Sequence, residues 1–234
     1  MAVDVQVSPL ALTASMVLAV AALASVRVMP RLVGAFAPFE GEAARRPVPS
    51  TRTFAAVTVL AVGAVALALH HRPSWLPAYL YLTVVGVVLA AVDLRVHRLP
   101  DALVLPSYPI LAALFGLAAV LDGLTADTWD GGHAAGAAMG AGLLLAAFGL
   151  LYLIPGGGLG LGDVKLVGLL GASLGWLGSL ELVLLGLLAG LLSAGAYAGF
   201  LLATRRAGRS DPIAYGPHLL LGAFLAILVG AVGV

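Results

Sequence analysis

Two aspartates stand where carboxylates are costly: Asp93 closes a long apolar run in LAAVDLRVHRLPDAL, and Asp163 opens another in GGGLGLGDVKL. An acid within or at the edge of an apolar span is a candidate for chemistry unless a helix cap or an ion pair accounts for it. Two carboxylates brought within a few ångströms resist ionising together, so one keeps its proton. Such a pair can activate a water as base and protonate a carbonyl oxygen as acid, which is the chemistry of peptide hydrolysis by an aspartic dyad. Other catalytic sets are missing. Without cysteine there is no thiolate nucleophile, disulfide or thiolate metal site. There is also no HExxH motif, Ser-His-Asp order or Ser-Lys arrangement at a suitable depth. His97 and His218 are not spaced with carboxylates as metal ligands, so neither a metal nor another cofactor is expected, and both histidines read as surface or packing residues.

The glycines before Asp163 need a reason of their own. A run such as GGGLGLG cannot hold a stable helix, since each glycine costs about 1 kcal/mol relative to alanine. Gly158, Gly160 and Gly162 are expected to bend the chain and to let an extended peptide lie against bare backbone, as is tolerated at membrane depth where a wet cavity is lined. The GxG spacings lack a following GK[ST] and a preceding strand, which argues against phosphate cradling. A simpler alternative is an inter-helix turn with Asp163 as the helix N-cap. Lys165 lies beside Asp163 at the same helix start, where its charge and the exposed amides favour a carboxylate. Asp101, after Pro100, is expected mainly as a helix-start residue with a possible substrate role.

The elements that must position these residues are membrane spans. The 234-residue chain is 62% apolar and 10% charged, with a mean hydropathy of +1.09, more apolar surface than one soluble domain of this size could bury. Crossing about 30 Å of hydrocarbon takes about 20 mostly apolar residues. The expected fold is all-α, a polytopic transmembrane bundle of about eight spans: 8–29, 54–70, 76–93, 102–121, 133–154, 164–179, 181–203 and 215–233. The sixth and seventh are the least separated, so six or seven spans are also possible. Asp4 ahead of the first span, with Arg27 and Arg31 behind it, reverses the pattern of a secretory signal and suggests an uncleaved anchor. The chain reads as one domain, 1–234, with a short polar loop at 30–53 and no repeats.

Charge then orients the bundle. With the amino end outside, Arg27, Arg31, Arg45, Arg46, Arg52, Arg95, Arg98, Lys165, Arg205, Arg206 and Arg209 fall on cytoplasmic segments, and Arg72 alone falls outside with Asp122, Asp127 and Asp130. This favours eight spans, both termini outside, and Asp93 and Asp163 together at the cytoplasmic face. Trp75, Trp129 and Trp176 fall at outer boundaries and read as interface anchors. The pairs Gly136/Gly140, Gly171/Gly175, Gly186/Gly190 and Gly195/Gly199 suit close helix packing. The basic residues form no pooled patch, so no nucleic-acid partner is expected.

The segment GLGDVKL resembles the glycine-x-glycine-aspartate signature of the type IV prepilin peptidases, a family of membrane aspartic proteases. DLRVHRLPD is similar to the segment carrying that family's first aspartate, and DPIAYGPHLLLGA to its closing segment, in which a Gly-Pro pair opens the last helix. The three matches keep the family's order across residues 76–234. The resemblance implies a membrane-embedded endopeptidase of the bacterial cytoplasmic membrane, using Asp93 and Asp163 to cut the leader of type IV prepilin or pseudopilin-like proteins just before their hydrophobic helix. Many family members also carry a cysteine-containing segment between the first two spans and methylate the new amino terminus. The short cysteine-free loop here departs from that pattern and suggests the peptidase alone. The residues by themselves leave two other readings open: a proton-coupled transporter using the paired acids, or a scaffold of the pilus machine. Filament system, cleavage preference and oligomeric state are not legible.

Overall fold

The computed structural model describes residues 50–126, 131–154, 159–205 and 214–233. Among these residues the chain is entirely helical, with seven helices: α1 (Thr51–Ala68), α2 (Leu76–Val96), α3 (Asp101–Ala126), α4 (Gly132–Tyr152), α5 (Leu161–Trp176), α6 (Leu180–Ala203) and α7 (Gly216–Gly233). Each overlies one of the expected spans. The expected first span, most of the 30–53 loop, Gly158 and Trp129 lie outside the described residues. The polar loop ends slightly earlier than expected, because Ser50 caps α1 by accepting from the amide of Thr53.

Four helices are long and apolar enough to cross a membrane: 76–96, 101–124, 132–152 and 180–203. Their outward faces carry large apolar side chains, among them Leu124, Leu150 and Leu192. In water such a surface would be an error, whereas in lipid it is the required solvent face. α5 has only 16 residues, a rise of about 24 Å.

Successive helices alternate in direction. α2 ends, α3 begins, α5 begins and α7 begins at one pole of the bundle. At the other pole the indole of Trp75 donates to Asp122 Oδ2 at 2.8 Å, and His133 Nδ1 lies 2.7 Å from the Trp176 carbonyl oxygen. This pole corrects one expectation: Trp75 and Trp176 are buried, at 0% and 3% exposure, in an aromatic cluster with His133 and Phe115 rather than facing an interface. For Trp75 the reason is the indole's polar handle; the Trp176 indole N–H is buried without a partner among the described residues, and that ring is held by stacking on Phe115. Once Asp122 supplies an acceptor, Trp75 gains more from ring packing than from a headgroup boundary.

Glycine sets the tightest crossings. A Cβ on Gly136 would strike the Gly175 carbonyl oxygen, and one on Gly140 the Gly171 carbonyl, so α4 and α5 meet backbone to backbone. At the α6–α7 crossing a Cβ on Gly222 would strike the Gly186 carbonyl oxygen and the Gly190 amide nitrogen, and one on Gly190 would lie 3.0 Å from Leu219 Cα, whereas one on Gly186 would meet the Leu174 side chain of α5. Gly195 and Gly199 have nothing within 4 Å and make no such crossing. Two prolines, Pro106 and Pro109, lie inside α3 without ending it. Nearby, Ser107 Oγ donates to the Leu103 carbonyl at 2.7 Å, giving that stretch an extra side-chain bond where proline removes amides.

Candidate active site

Asp93 sits in the last turn of α2, the most enclosed of the four spanning helices, with 61% of its apolar window buried inside the bundle against 28% or less for the others. The side chain itself is 4% exposed. Its Oδ2 accepts the amide of Gly216 at 3.0 Å, and Gly216 is the first residue of α7. Asp93 therefore faces more than the carboxyl end of its own helix: the positive end of a second helix meets it as well. A Cβ at position 216 would lie 2.7 Å from that oxygen, so glycine is what permits the approach. Just beyond, His97 takes a left-handed conformation (φ 51°, ψ 40°), and its amide bonds the Asp93 carbonyl at 2.8 Å. That cap turns the chain back towards α3.

Asp163 occupies the first turn of α5, a helix buried along most of its length. Its position corrects the N-cap alternative: Gly160 is the N-cap and Asp163 stands three residues later, its Oδ2 3.4 Å from the Gly160 amide. A carboxylate at that position reaches back to the free amides of the turn. Gly162 packs on the loop before α3, where an added Cβ would lie 3.0 Å from Leu99 Cβ. Gly160 is thus the N-cap of α5, and Gly162 its contact with the loop before α3.

Seventy residues apart in sequence, Asp93 and Asp163 come to the same pole, where Leu99, six residues past Asp93, packs on Gly162 next to Asp163. α7 packs against both α2 and α5, and Tyr79 of α2 donates to the Ser173 carbonyl of α5 at 2.7 Å. Asp101 and Lys165 meet directly: Lys165 Nζ lies 2.7 and 2.8 Å from the two Asp101 carboxylate oxygens. The Tyr108 hydroxyl donates to the Lys165 carbonyl at 2.7 Å. His218 is a packing residue, with its Nδ1 3.1 Å from Ser193 Oγ and its ring against Tyr197. Among the described residues no three His, Asp or Glu side chains gather as metal ligands.

The sequence alone does not show that Gly216 of the Gly-Pro pair meets Asp93, nor that Tyr108 ties α3 to α5. A signal for Tyr108 existed: it lies seven residues after Asp101, two helical turns along the same face.

A cavity of about 240 Å³ lies between α1, α2 and α7, with Leu170 of α5 in its wall. Thr83, Gly86 and Ala90 line it from α2, and Pro217, Leu220 and Phe224 from α7. Positions 83, 86, 90 and 93 recur at helical spacing, so the apolar lining and Asp93 share one face. The lining includes Pro217, next to the Gly216 whose amide Asp93 accepts, and includes neither aspartate.

Residues 79–195 match the model of the type IV leader peptidase family. The chain is 37% identical over 171 residues to a prepilin leader peptidase/N-methyltransferase of Aeromonas hydrophila, covering 71% of this chain and 54% of that protein. It is 32% identical over 168 residues to the protein of the same name from Pseudomonas aeruginosa, with 70% and 53% covered. A third relative of that name, from Stutzerimonas stutzeri, is 30% identical over 168 residues, with 70% and 54% covered. The chain thus spans about half the length of the curated relatives it matches. No solved structure matches it significantly. On the family match, which takes in Asp93, Asp163 and the turn between α4 and α5, the chain belongs to the type IV leader peptidase family.

Proposed function

We propose that this protein is a membrane-embedded aspartic endopeptidase that removes the leader of type IV prepilin-like proteins, with Asp93 and Asp163 as its catalytic residues. The observation that carries this reading is the convergence of the two acids at one pole, in a chain whose family is that of leader peptidases. One carboxylate takes a proton from a water held between them as that water attacks the scissile carbonyl, while the other carboxylic acid protonates the carbonyl oxygen. Collapse of the resulting diol breaks the C–N bond and returns a proton to the departing amine. The cleavage half of the relatives' paired name is the half that this dyad supports.

The bundle has eight spans in this reading, the expected span at 8–29 joining the seven helices, and both termini lie outside. The dyad then lies at the cytoplasmic face, where the positive charges collect. The substrate's basic leader stays in the cytoplasm. Its apolar helix enters laterally, along the apolar groove between α2 and α7 whose lining reaches Pro217, beside the Gly216 that Asp93 bonds. Co-expression with a prepilin tests the proposal: the wild type should release a shortened product, and Asp93→Asn and Asp163→Asn should each abolish it. Processing that survives both substitutions would overturn the dyad, and proton-driven uptake without cleavage would point to a transporter.

A further inference from the structure

The charge beside Asp163 is already engaged. Lys165 Nζ is held by both oxygens of Asp101, at 2.7 and 2.8 Å, on the neighbouring helix start. Two further ties join the same segments: Tyr108 Oη to the Lys165 carbonyl at 2.7 Å, and Leu99 against Gly162, where a Cβ would approach to 3.0 Å. These contacts bracket Asp163, falling on residues 162 and 165, whereas its own bond to the Gly160 amide is long at 3.4 Å. We infer that the Asp101–Lys165 ion pair is a brace between α3 and α5 that positions Asp163, and that Lys165 serves the dyad through Asp101 rather than by its own charge.

The brace suits its location. Gly160 and Gly162 enter α5 without side chains, so the start of that helix has little of its own to lock it in place. The loop before α3 follows directly from the helix bearing Asp93, so fixing residues 162–165 to residues 99–108 fixes one acid relative to the other. Asp101 and Lys165 are 57% and 24% exposed, so water and salt reach the pair and its contribution is modest. The inference rests on the peptidase reading for its catalytic consequence but not for its geometry.

Both parts can be measured. In a chain without native cysteine, Leu99→Cys with Gly162→Cys sets two Cβ atoms 3.0 Å apart, about 0.5 Å inside the usual disulfide range of about 3.5–4.5 Å, so a small separation of the two helix starts brings the thiols into bonding geometry. Oxidation in native membranes should cross-link them, and adding Lys165→Met or Asp101→Asn should slow cross-linking by about 2- to 5-fold, the range an exposed ion pair can shift. An unchanged rate overturns the brace whether or not the protein is a peptidase. In cleavage assays Lys165→Met and Asp101→Asn should each lower kcat more than they raise KM, and the double variant should be no worse than either single one. Lys165→Arg should retain most of the rate. If Asp101→Asn is harmless while Lys165→Met is not, Lys165 acts on Asp163 directly. If the reverse holds, Asp101 touches substrate. Either result refutes the brace. A wild type that cleaves no prepilin while its cross-linking still responds to Lys165→Met would sink the functional reading and leave the brace standing.

Discussion

At the scale of single residues, the proposed dyad stands on neighbours that the sequence only half discloses. Asp93→Asn and Asp163→Asn should each reduce leader cleavage by about 10²- to 10⁴-fold, the range general acid–base groups contribute, while the protein still accumulates in the membrane. Gly216→Ala is a sharper test. Its Cβ would lie 2.7 Å from Asp93 Oδ2, and the carboxylate can swing aside more easily than α7 can retreat. The expected outcome in steady-state assays is a fall in kcat of about tenfold or more with little change in thermal stability, because the displaced group is an acid and not the core. Both aspartates were legible because acids are rare in apolar runs. Gly216 was not, because a glycine at a helix start has many uses and only the fold shows which carboxylate it approaches. The Lys165–Asp101 pairing was hidden for the same reason: sequence placed Lys165 beside Asp163, two residues away, and could not show the partner 64 residues upstream.

Among elements, the glycine pairs separate into two kinds. Gly171 lies against the Gly140 carbonyl across the α4–α5 crossing, so Gly171→Ala should push the helices apart and destabilise the protein by about 1–3 kcal/mol. Gly199 has nothing within 4 Å, and Gly199→Ala should be neutral or stabilising by up to about 1 kcal/mol through helix propensity. Thermal unfolding in a single detergent compares the two, and equal losses would contradict the packing described. Four-residue spacing told the sequence reader that such crossings exist, but not which pairs use them, since the spacing is identical in the pair with open space around it. Helix positions were easier to read. Long apolar runs broken by Gly, Pro and charge overlie the seven helices closely, because lipid allows few alternatives to a helix. The tryptophans misled because composition at a boundary does not reveal whether a buried acceptor such as Asp122 awaits the indole.

For the molecule as a whole, the alternation of helices places Arg98 and His71 at opposite poles, both exposed. Because the chain lacks cysteine, Arg98→Cys and His71→Cys each give a single reporter. A membrane-impermeant maleimide should label position 71 in intact spheroplasts, and position 98 only after the inner membrane is opened. Labelling of both from one side would contradict the proposed orientation. The shortness of α5 bears on the same scale. At 16 residues, about 24 Å, it falls some 6 Å short of an average hydrocarbon layer of about 30 Å. α5 is enclosed by longer neighbours and not by lipid, so the shortfall falls inside the bundle and would set the start of the helix that bears Asp163 at the floor of a recess that water can enter. Turnover should then respond little to bilayer thickness: proteoliposomes made from progressively thicker lecithins should keep most of their rate, the outer helices taking up the difference by tilt.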